Sequence, residues 1–192
     1  MPPFLYEIYK KNVELCEKYG MKLIFIDDNN VFKYITPHPR FKNLKYNYKS
    51  DIIRYYTLHK YGGFWFDMDV LIIKNLNNLY ESLKQYECMV DEEIQSKIGG
   101  TSLYLKKNSI ASKYCVDYIN NILDTKKNLF WEVIGPNTVE NLYRNHSSVI
   151  LLNNYQSVKT LYNYIPYERP SKTMGYVFRS MYTSTIFTSI YC

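Results

Sequence analysis

Residues 50–73 read SDIIRYYTLHKYGGFWFDMDVLII, and this stretch predicts a helix, a two-glycine break and a buried strand. Apolar residues recur at helical spacing over residues 52–58. The glycines at 62 and 63 can end that helix, because glycine tolerates the left-handed backbone found at helix C-termini. Residues 64–73 are apolar apart from two aspartates, as expected for a strand covered on both faces.

The predicted strand carries its two carboxylates, Asp67 and Asp69, on either side of Met68. Alternate side chains of a strand point to one face, so we expect the aspartates together and Met68 in the core. Two like charges in a small volume repel each other unless a cation lies between them. Oxygen ligands favour Mg2+ or Mn2+, which also take water and substrate phosphates as ligands. The pair therefore predicts a metal site for a phosphate or diphosphate.

Two further charged residues precede this strand on the predicted helix. Asp51 and Arg54 are three residues apart and therefore share one helical face. Ser50 is predicted to be the N-cap, with Asp51 in the first turn. Because the chain turns back after the glycines, we expect Asp51 and Arg54 to lie near the two strand aspartates.

The whole stretch resembles the signature of the DXD-containing sugar transferases (glycosyltransferase family 32-like). That group includes the yeast initiating mannosyltransferase of the Golgi, bacterial capsular polysaccharide transferases and the glucosylating domains of clostridial toxins. Its shared frame is an aspartate, two apolar residues, an arginine, an apolar helix, two glycines, an aromatic residue and Asp-X-Asp. The matching positions are Asp51, Arg54, Gly62, Gly63, Trp65, Asp67 and Asp69.

The resemblance implies a fold, a reaction and a set of roles. The fold would be α/β and GT-A-like (Rossmann-like), with a central, mostly parallel sheet flanked by helices. The reaction would transfer a sugar from a UDP- or GDP-sugar with retention of configuration. Asp69 would coordinate Mn2+ or Mg2+ directly, and Asp67 would assist through the metal shell and the donor ribose or sugar. Asp51 and Arg54 would contact the donor sugar, and Trp65 would lie against the nucleotide sugar.

The rest of the chain predicts alternating helices and strands without a repeat or linker, so residues 1–192 are expected to form one catalytic domain. Helices are predicted at residues 4–19, 109–123 and 138–145, and strands at residues 21–27, 88–90 and 149–152. Residues 31–48 predict a surface connector. Asp27 and Asp28 follow the first strand, where they form either a capping turn or a contact with the nucleotide.

Composition limits the partners of this chain. A formal net charge of +6 at pH 7 favours anionic ligands such as nucleoside diphosphates and phosphorylated glycans. No dense basic block with interleaved aromatic residues is present, so nucleic acid is not an expected partner. The four cysteines lack metal-site or paired spacing and predict reduced, buried thiols. No signal peptide or apolar run of about 18 residues is visible, and a cytoplasmic location is expected.

The leading hypothesis is a metal-dependent glycosyltransferase that transfers a sugar from a nucleotide sugar to a hydroxyl group of a glycan or protein. A second hypothesis is a non-catalytic relative that binds a sugar nucleotide or glycan. A third is a phosphatase of the haloacid-dehalogenase type with Asp67 as nucleophile, because an apolar run followed by Asp-X-Asp also begins that motif. The third hypothesis does not explain Asp51, Arg54 or the two glycines.

Overall fold

The computed structural model describes residues 3–93, 97–130, 132–146, 149–152, 158–160 and 185–189. It is a mixed α/β structure. The α-helices are α1 (Pro3–Lys18), α2 (Val31–Tyr34), α3 (Tyr46–Tyr61), α4 (Asn77–Leu83), α5 (Ile110–Thr125) and α6 (Pro136–Asn145), with a 3-10 helix at Pro39–Asn43. The strands are β1 (Lys22–Ile26), β2 (Gly63–Phe66), β3 (Val70–Ile72), β4 (Cys88–Glu93), β5 (Lys97–Leu105), β6 (Val149–Leu152), β7 (Val158–Thr160) and β8 (Thr185–Ser189).

The main sheet has six strands in the order β1-β8-β2-β5-β4-β6, and β3 pairs with β7 in a separate two-stranded sheet. Among the described neighbours in the main sheet, β4 and β6 are parallel and the other pairs are antiparallel. The predicted mostly parallel sheet is therefore wrong. Strand β8 lies between β1 and β2, and β5 lies between β2 and its sequence neighbour β4. Strands β1, β2 and β4 run in the same direction, but an antiparallel strand separates each from the next.

Four strands of the main sheet nevertheless share one direction. Strands β1 and β2 are both antiparallel to β8, β2 and β4 are both antiparallel to β5, and β6 is parallel to β4. The carboxyl ends of β1, β2, β4 and β6 therefore lie at one edge of the sheet. In α/β proteins this is the edge at which ligands bind. Asp67 directly follows β2 at this edge.

Helices flank the sheet on both faces, as predicted. Helices α3, α5 and α6 bury apolar residues against the face that carries Trp65. Helices α1 and α4 contribute to the opposite face, which carries Phe64 and Phe66. Successive residues of β2 thus point to opposite faces, all of them fully buried. Trp65 consequently faces α3, the helix that carries the predicted polar residues.

Helix α3 begins one turn earlier than Ser50, the predicted N-cap. Lys45 is the N-cap, and the Tyr48 hydroxyl donates a hydrogen bond to the Leu129 carbonyl at 2.8 Å, which ties the additional turn to the loop after α5. The helix ends at Gly62, as predicted. Gly62 has φ +73°, and a Cβ there would stand 2.9 Å from the backbone nitrogen of Lys107. Only glycine fits this position without strain, so the chain turns directly from α3 into β2.

The cysteines in the described part of the chain agree with the prediction of reduced thiols. Cys16, Cys88 and Cys115 are buried and free. Burial raises the pKa of the Cys16 thiol to about 11 and raises the pKa of Cys88 well above its ordinary value. Such thiols stay protonated and act as small apolar side chains. Cys192 lies outside the described residues.

Candidate functional site

A buried arginine links α3 to the end of β2. Arg54 Nη2 donates a hydrogen bond to Asp67 Oδ1 at 2.9 Å, and Trp65 Nε1 donates to the same oxygen at 2.9 Å. The Arg54 guanidinium carbon also lies 5.4 Å from the centroid of the Trp65 ring. The helix and strand thus bring three predicted site residues into contact, and two donors hold one oxygen of Asp67 in place.

Asp51 lies on the same side of α3, one turn before Arg54. Its Oδ1 is 3.8 Å from Arg54 Nη2, and its side chain is 14% exposed. The predicted grouping of Asp51, Arg54 and Asp67 is therefore present in the structure. Asp67 is the most accessible of the three, with 34% of its side chain exposed against 8% for Arg54. A ligand would consequently meet Asp67 before it meets the arginine.

Two neighbours of Asp51 were not predicted as part of the site. A Cβ at Gly135 would stand 2.7 Å from Oδ2 of Asp51, so the loop before α6 packs directly on this carboxylate. The Tyr55 hydroxyl donates a hydrogen bond of 3.0 Å to the Gly135 carbonyl. The sequence signal was the Gly135-Pro136 pair, which marks a turn ahead of a helix. The pair gives no indication of which residue that turn would contact.

The cluster shields Asp51 and Arg54 from water, whereas Asp67 is partly exposed. Burial raises the pKa of Asp51 to about 6, with Arg54 lowering it and Asp67 raising it. Burial by itself disfavours a charged Arg54, but Asp67 and Asp51 outweigh this effect and its pKa is raised. Arg54 therefore remains a cation, whereas Asp51 can change its protonation state near neutral pH.

One atom of the arginine is buried without a hydrogen-bond partner. Arg54 Nε has none among the residues that the structure describes. An unpaired buried N–H costs about 1–3 kcal/mol, and such groups concentrate at functional positions. Arg54 is thus bonded to Asp67 through Nη2, while its Nε has no partner among the described residues.

The DXD residues form a turn rather than part of one continuous strand. The Val70 N–H donates to the Asp67 carbonyl at 3.0 Å, and residues 67–69 separate β2 from β3. The predicted extended conformation is therefore wrong, because β3 leaves the main sheet to pair with β7 and the chain must change direction. Met68 is buried with Leu5 and Ile8, as predicted for its side chain.

The carboxylates at this turn could supply part of the coordination shell of a hard cation. Asp67 and Asp69 are both half-buried and lie two residues apart. Within the described ranges there is no group of three or more histidine, cysteine or acidic residues placed to hold a metal. Mg2+ and Mn2+ are commonly held by one or two carboxylates, with waters and substrate phosphates as the other ligands. The two aspartates fit that partial role.

Two other polar residues, Asp27 and His59, lie in structural contacts. Asp27 Oδ1 accepts hydrogen bonds from the N–H groups of Asn29 (2.9 Å) and Asn30 (3.2 Å), which is the predicted alternative of a capping turn. His59 Nδ1 lies 2.9 Å from Ser112 Oγ on α5. These contacts tie the ends of β1 and α3 to their neighbours.

Most of the candidate site lies in a part of the chain that matches a known protein family. Residues 5–87 match the model of a family described as a glycosyltransferase sugar-binding region containing DXD motif. The DXD sugar-transferase resemblance is confirmed. The matched region runs from α1 to the residue before β4 and includes Asp51, Arg54, Trp65, Asp67 and Asp69. Gly135, which covers Asp51, lies outside the match.

A second similarity points to a different class of transferase. The chain is 29% identical over 141 residues to a type II methyltransferase, M.HincII, of Haemophilus influenzae. The match covers 64% of this chain and 27% of that protein, so the chain spans about a quarter of the relative's length. No solved structure matches the chain. In the described part of the chain, no helix is long and apolar enough to cross a membrane.

Proposed function

We propose that this chain is a metal-dependent glycosyltransferase that takes a sugar from a UDP- or GDP-sugar and transfers it to a hydroxyl group of a glycan or protein. The observation that carries the proposal is the 2.9 Å contact of Arg54 with Asp67 beside the buried Asp51, within the region that matches the sugar-binding family. Residues 1–192 as one catalytic domain, and a cytoplasmic location, remain predictions of the same proposal.

The roles of the carboxylates follow from their accessibility. Because Arg54 and Trp65 both bind Oδ1 of Asp67, that carboxylate has a fixed orientation from which to meet a ligand. We assign Asp69 and Asp67 as the residues that would hold Mn2+ or Mg2+. Such a cation neutralises the diphosphate leaving group when bound. Retention of configuration is proposed from the family resemblance alone.

Asp51 and Arg54 are assigned to the donor sugar. A carboxyl whose pKa is about 6 accepts a hydrogen bond from a sugar hydroxyl when ionised and can donate one when protonated. Arg54 supplies a fixed positive charge where negative charge develops as the anomeric bond breaks. The resemblance places Trp65 against the nucleotide sugar, but its ring is fully buried, and we assign it to hold Asp67 through its Nε1 hydrogen bond.

The alternatives differ in what they require of these residues. A phosphatase needs Asp67 as a nucleophile and gives no role to the buried Asp51 and Arg54 beside it. A methyltransferase, suggested by the M.HincII similarity, would bind a methyl donor instead of a nucleotide sugar. A non-catalytic relative would bind the nucleotide sugar without turnover.

The test is a ligand panel on the purified chain. We expect a UDP- or GDP-sugar to raise the melting temperature only with Mn2+ or Mg2+ present, and nucleoside diphosphate to be released on incubation. Asp69→Ala should abolish this stabilisation without unfolding the chain, whereas Asp117→Ala, at an exposed position of α5, should not. Stabilisation by S-adenosylmethionine alone, or donor binding unchanged in Asp69→Ala, would overturn the proposal. Binding of the nucleotide sugar without release of nucleoside diphosphate would favour the hypothesis of a non-catalytic relative.

A further inference from the structure

Two exposed aromatic rings, Phe32 and Tyr46, lie in the region from α2 to the start of α3, near the buried Phe41. The Phe32 side chain is 57% exposed and meets Phe41 edge-on, with ring centroids 6.0 Å apart. Lys49 Nζ lies 5.6 Å from the Phe41 centroid and 5.2 Å from that of Tyr46, which is 54% exposed. One ammonium group therefore joins two rings, and a third ring extends the patch. The linking ring, Phe41, is buried, so the apolar area open to a ligand comes from Phe32 and Tyr46.

A depression opens beside these rings. It lies between α2 and the 3-10 helix, has a volume of about 380 Å³, and is lined in part by Phe32, Pro37, Pro39, Phe41 and Lys42. Small-molecule sites occupy about 300–1,000 Å³. The two prolines restrict the backbone around the depression, because their rings fix φ. We call Phe32, Lys42, Tyr46 and Lys49 the aromatic-lysine surface, with the buried Phe41 ring beneath it.

The charge of this surface is positive and not balanced within its own segment. Between Asp28 and Asp51 the sequence has five basic side chains and no acidic one. Within the described residues, no ion pair involves Lys42 or Lys49. Both lysines are therefore available to an anionic ligand.

Three other polar or charged groups beside the depression, Arg40, His38 and Asp124, make contacts within the protein. Arg40 donates hydrogen bonds to carbonyls at the end of α5, including that of Lys127 at 3.0 Å. Asp124 of α5 is the carboxylate that reaches the lining, and His38 Nε2 lies 2.9 Å from its Oδ1. Because His38 Nδ1 accepts the Arg40 N–H, Nε2 carries the hydrogen and donates it to Asp124. The lysines thus determine the charge that a ligand would meet.

We propose that the aromatic-lysine surface binds an anionic sugar unit, carboxylated or phosphorylated, of the acceptor glycan. Aromatic faces pack against the apolar face of a sugar ring, and an ammonium group beside the ring pairs with the anionic substituent. Calling this ligand an acceptor rests on the proposed function. Tyr46 and Asp51 both belong to α3 (Tyr46–Tyr61), where five residues correspond to a rise of about 7.5 Å along the helix axis.

The dimensions favour a short saccharide over other polyanions. Nucleic acid binding needs a basic stripe that follows many phosphates, whereas here Lys42 lines one small depression and Lys49 lies by the Phe41 ring. A membrane surface would meet a flat or convex face carrying several basic and aromatic side chains. A concave site with proline-bearing walls suits one or two sugar rings.

The experiment measures saccharide binding by calorimetry with no nucleotide sugar present. The probes are short oligogalacturonides with their carboxyl-reduced neutral counterparts, and phosphorylated oligomannose with its dephosphorylated form. We expect an anionic probe to bind, its neutral partner to bind at least about fivefold more weakly, and added salt to reduce the difference. Lys42→Gln, Lys49→Gln and Phe32→Ala should each weaken binding by about fivefold or more.

Matched controls come from α1. Lys10 Nζ lies 5.7 Å from the exposed Tyr6 ring, but this pair has Glu7 beside it. Lys10→Gln and Tyr6→Ala should leave saccharide binding unchanged. Each variant is also checked for an unchanged melting temperature, so that weaker binding cannot come from unfolding.

Several outcomes separate this inference from the proposed function. Anionic and neutral probes that bind equally, no binding of any anionic probe, or binding confined to a single-stranded oligonucleotide or to anionic phospholipid vesicles would each overturn it. If nucleotide-sugar binding persists in those cases, the proposed function stands alone. If the chain binds the anionic saccharide and its Lys49→Gln variant does not, while no nucleotide sugar binds, the surface is supported and the transferase proposal fails.

Discussion

Gly135 packs on Asp51 so closely that a Cβ atom at position 135 would stand 2.7 Å from Oδ2 of that carboxylate. The Tyr55 hydroxyl, one turn along α3, binds the Gly135 carbonyl at 3.0 Å. The loop before α6 therefore forms one wall of a site whose charged residues come from α3 and β2. Its residues lie outside the part of the chain that matches the sugar-binding family.

Gly135→Ala is expected to damage the site more than the fold. The added methyl group cannot be accommodated beside Asp51 unless the carboxylate or the loop moves, at a cost of about 1–3 kcal/mol. Displacement of Asp51 should also weaken nucleotide-sugar binding with Mn2+ present. Urea unfolding and calorimetry measure the two effects separately.

Gly20→Ala serves as the control for that variant. Gly20 has φ +69° but no atom within 4 Å of the added Cβ, so the substitution strains the backbone without touching the site. It should lower stability by about 1 kcal/mol and leave ligand binding unchanged. Equal loss of binding in both variants would mean that Gly135 acts through stability alone.

Arg54→Met should be strongly destabilising. It leaves Asp51 and Asp67 close together without their shared cation, and breaking a buried pair in this way costs about 3 kcal/mol. Urea unfolding at neutral pH measures the loss. Arg144→Met on α6 is the control, because Arg144 is exposed and, in the described part of the chain, pairs only with Glu140, and little change is expected there.

A double variant tests whether charge is the cause of that loss. Asp51→Asn removes one of the two uncompensated carboxylates, so Arg54→Met should cost less in the Asp51→Asn background by about 1 kcal/mol. Strict additivity of the two substitutions would contradict an electrostatic link between Asp51 and Arg54. The measured quantity is the free energy of unfolding of the four proteins in the cycle.

The raised pKa of Asp51 predicts a specific pH dependence of stability. Its pKa is about 6 in the folded chain against an ordinary value of 3.8, so the folded state binds the proton more tightly than the unfolded state does. The contribution of Asp51 to stability is therefore present below about pH 4 and is lost as the pH rises to about 6 and above, by about 2–3 kcal/mol.

The difference in unfolding free energy between the wild type and Asp51→Asn isolates this contribution. It should fall as the pH is raised from about 4 to about 7, since asparagine does not titrate. The same difference for Asp117→Asn, at an exposed position of α5, should show no such fall over this window. Parallel stability curves for the wild type and Asp51→Asn would contradict the raised pKa.

Tyr55→Phe tests how much the contact between α3 and the loop before α6 contributes to the free energy of unfolding. The Gly135 carbonyl also accepts the Thr138 N–H at 3.1 Å, so loss of the Tyr55 hydroxyl removes one of its two donors, at a cost of about 0.5–1.5 kcal/mol in unfolding free energy. Tyr61→Phe is a matched control: its hydroxyl donates at 3.2 Å to the Tyr34 carbonyl, which also accepts from Lys60 Nζ, but this hydrogen bond is only partly buried and its loss should cost less. A loss as large in Tyr61→Phe as in Tyr55→Phe would contradict a special role for Tyr55.

The sequence predicted the local structure correctly in several places. The helix that ends at Gly62 and the strand that follows the two glycines were predicted, because glycine and apolar spacing act over a few residues; β2 itself begins at Gly63 and ends at Phe66. The helix after Ser109 and the strand at Val149–Leu152 were also predicted from their patterns. Strand pairing was not predictable in this way, because the insertion of β8 between β1 and β2 joins residues from opposite ends of the chain.

The amino-acid sequence by itself determined that Asp51, Arg54, Trp65 and the two DXD aspartates belong to one helix-glycine-strand unit, because their spacing places them on neighbouring turns and at a strand end. Only the tertiary structure decided that Asp67 and Asp69 lie in a turn and that Gly135 closes over Asp51. Those features depend on where β3 finds its partner and where the loop before α6 packs. Contacts between residues distant in sequence are set by the packing of the whole chain.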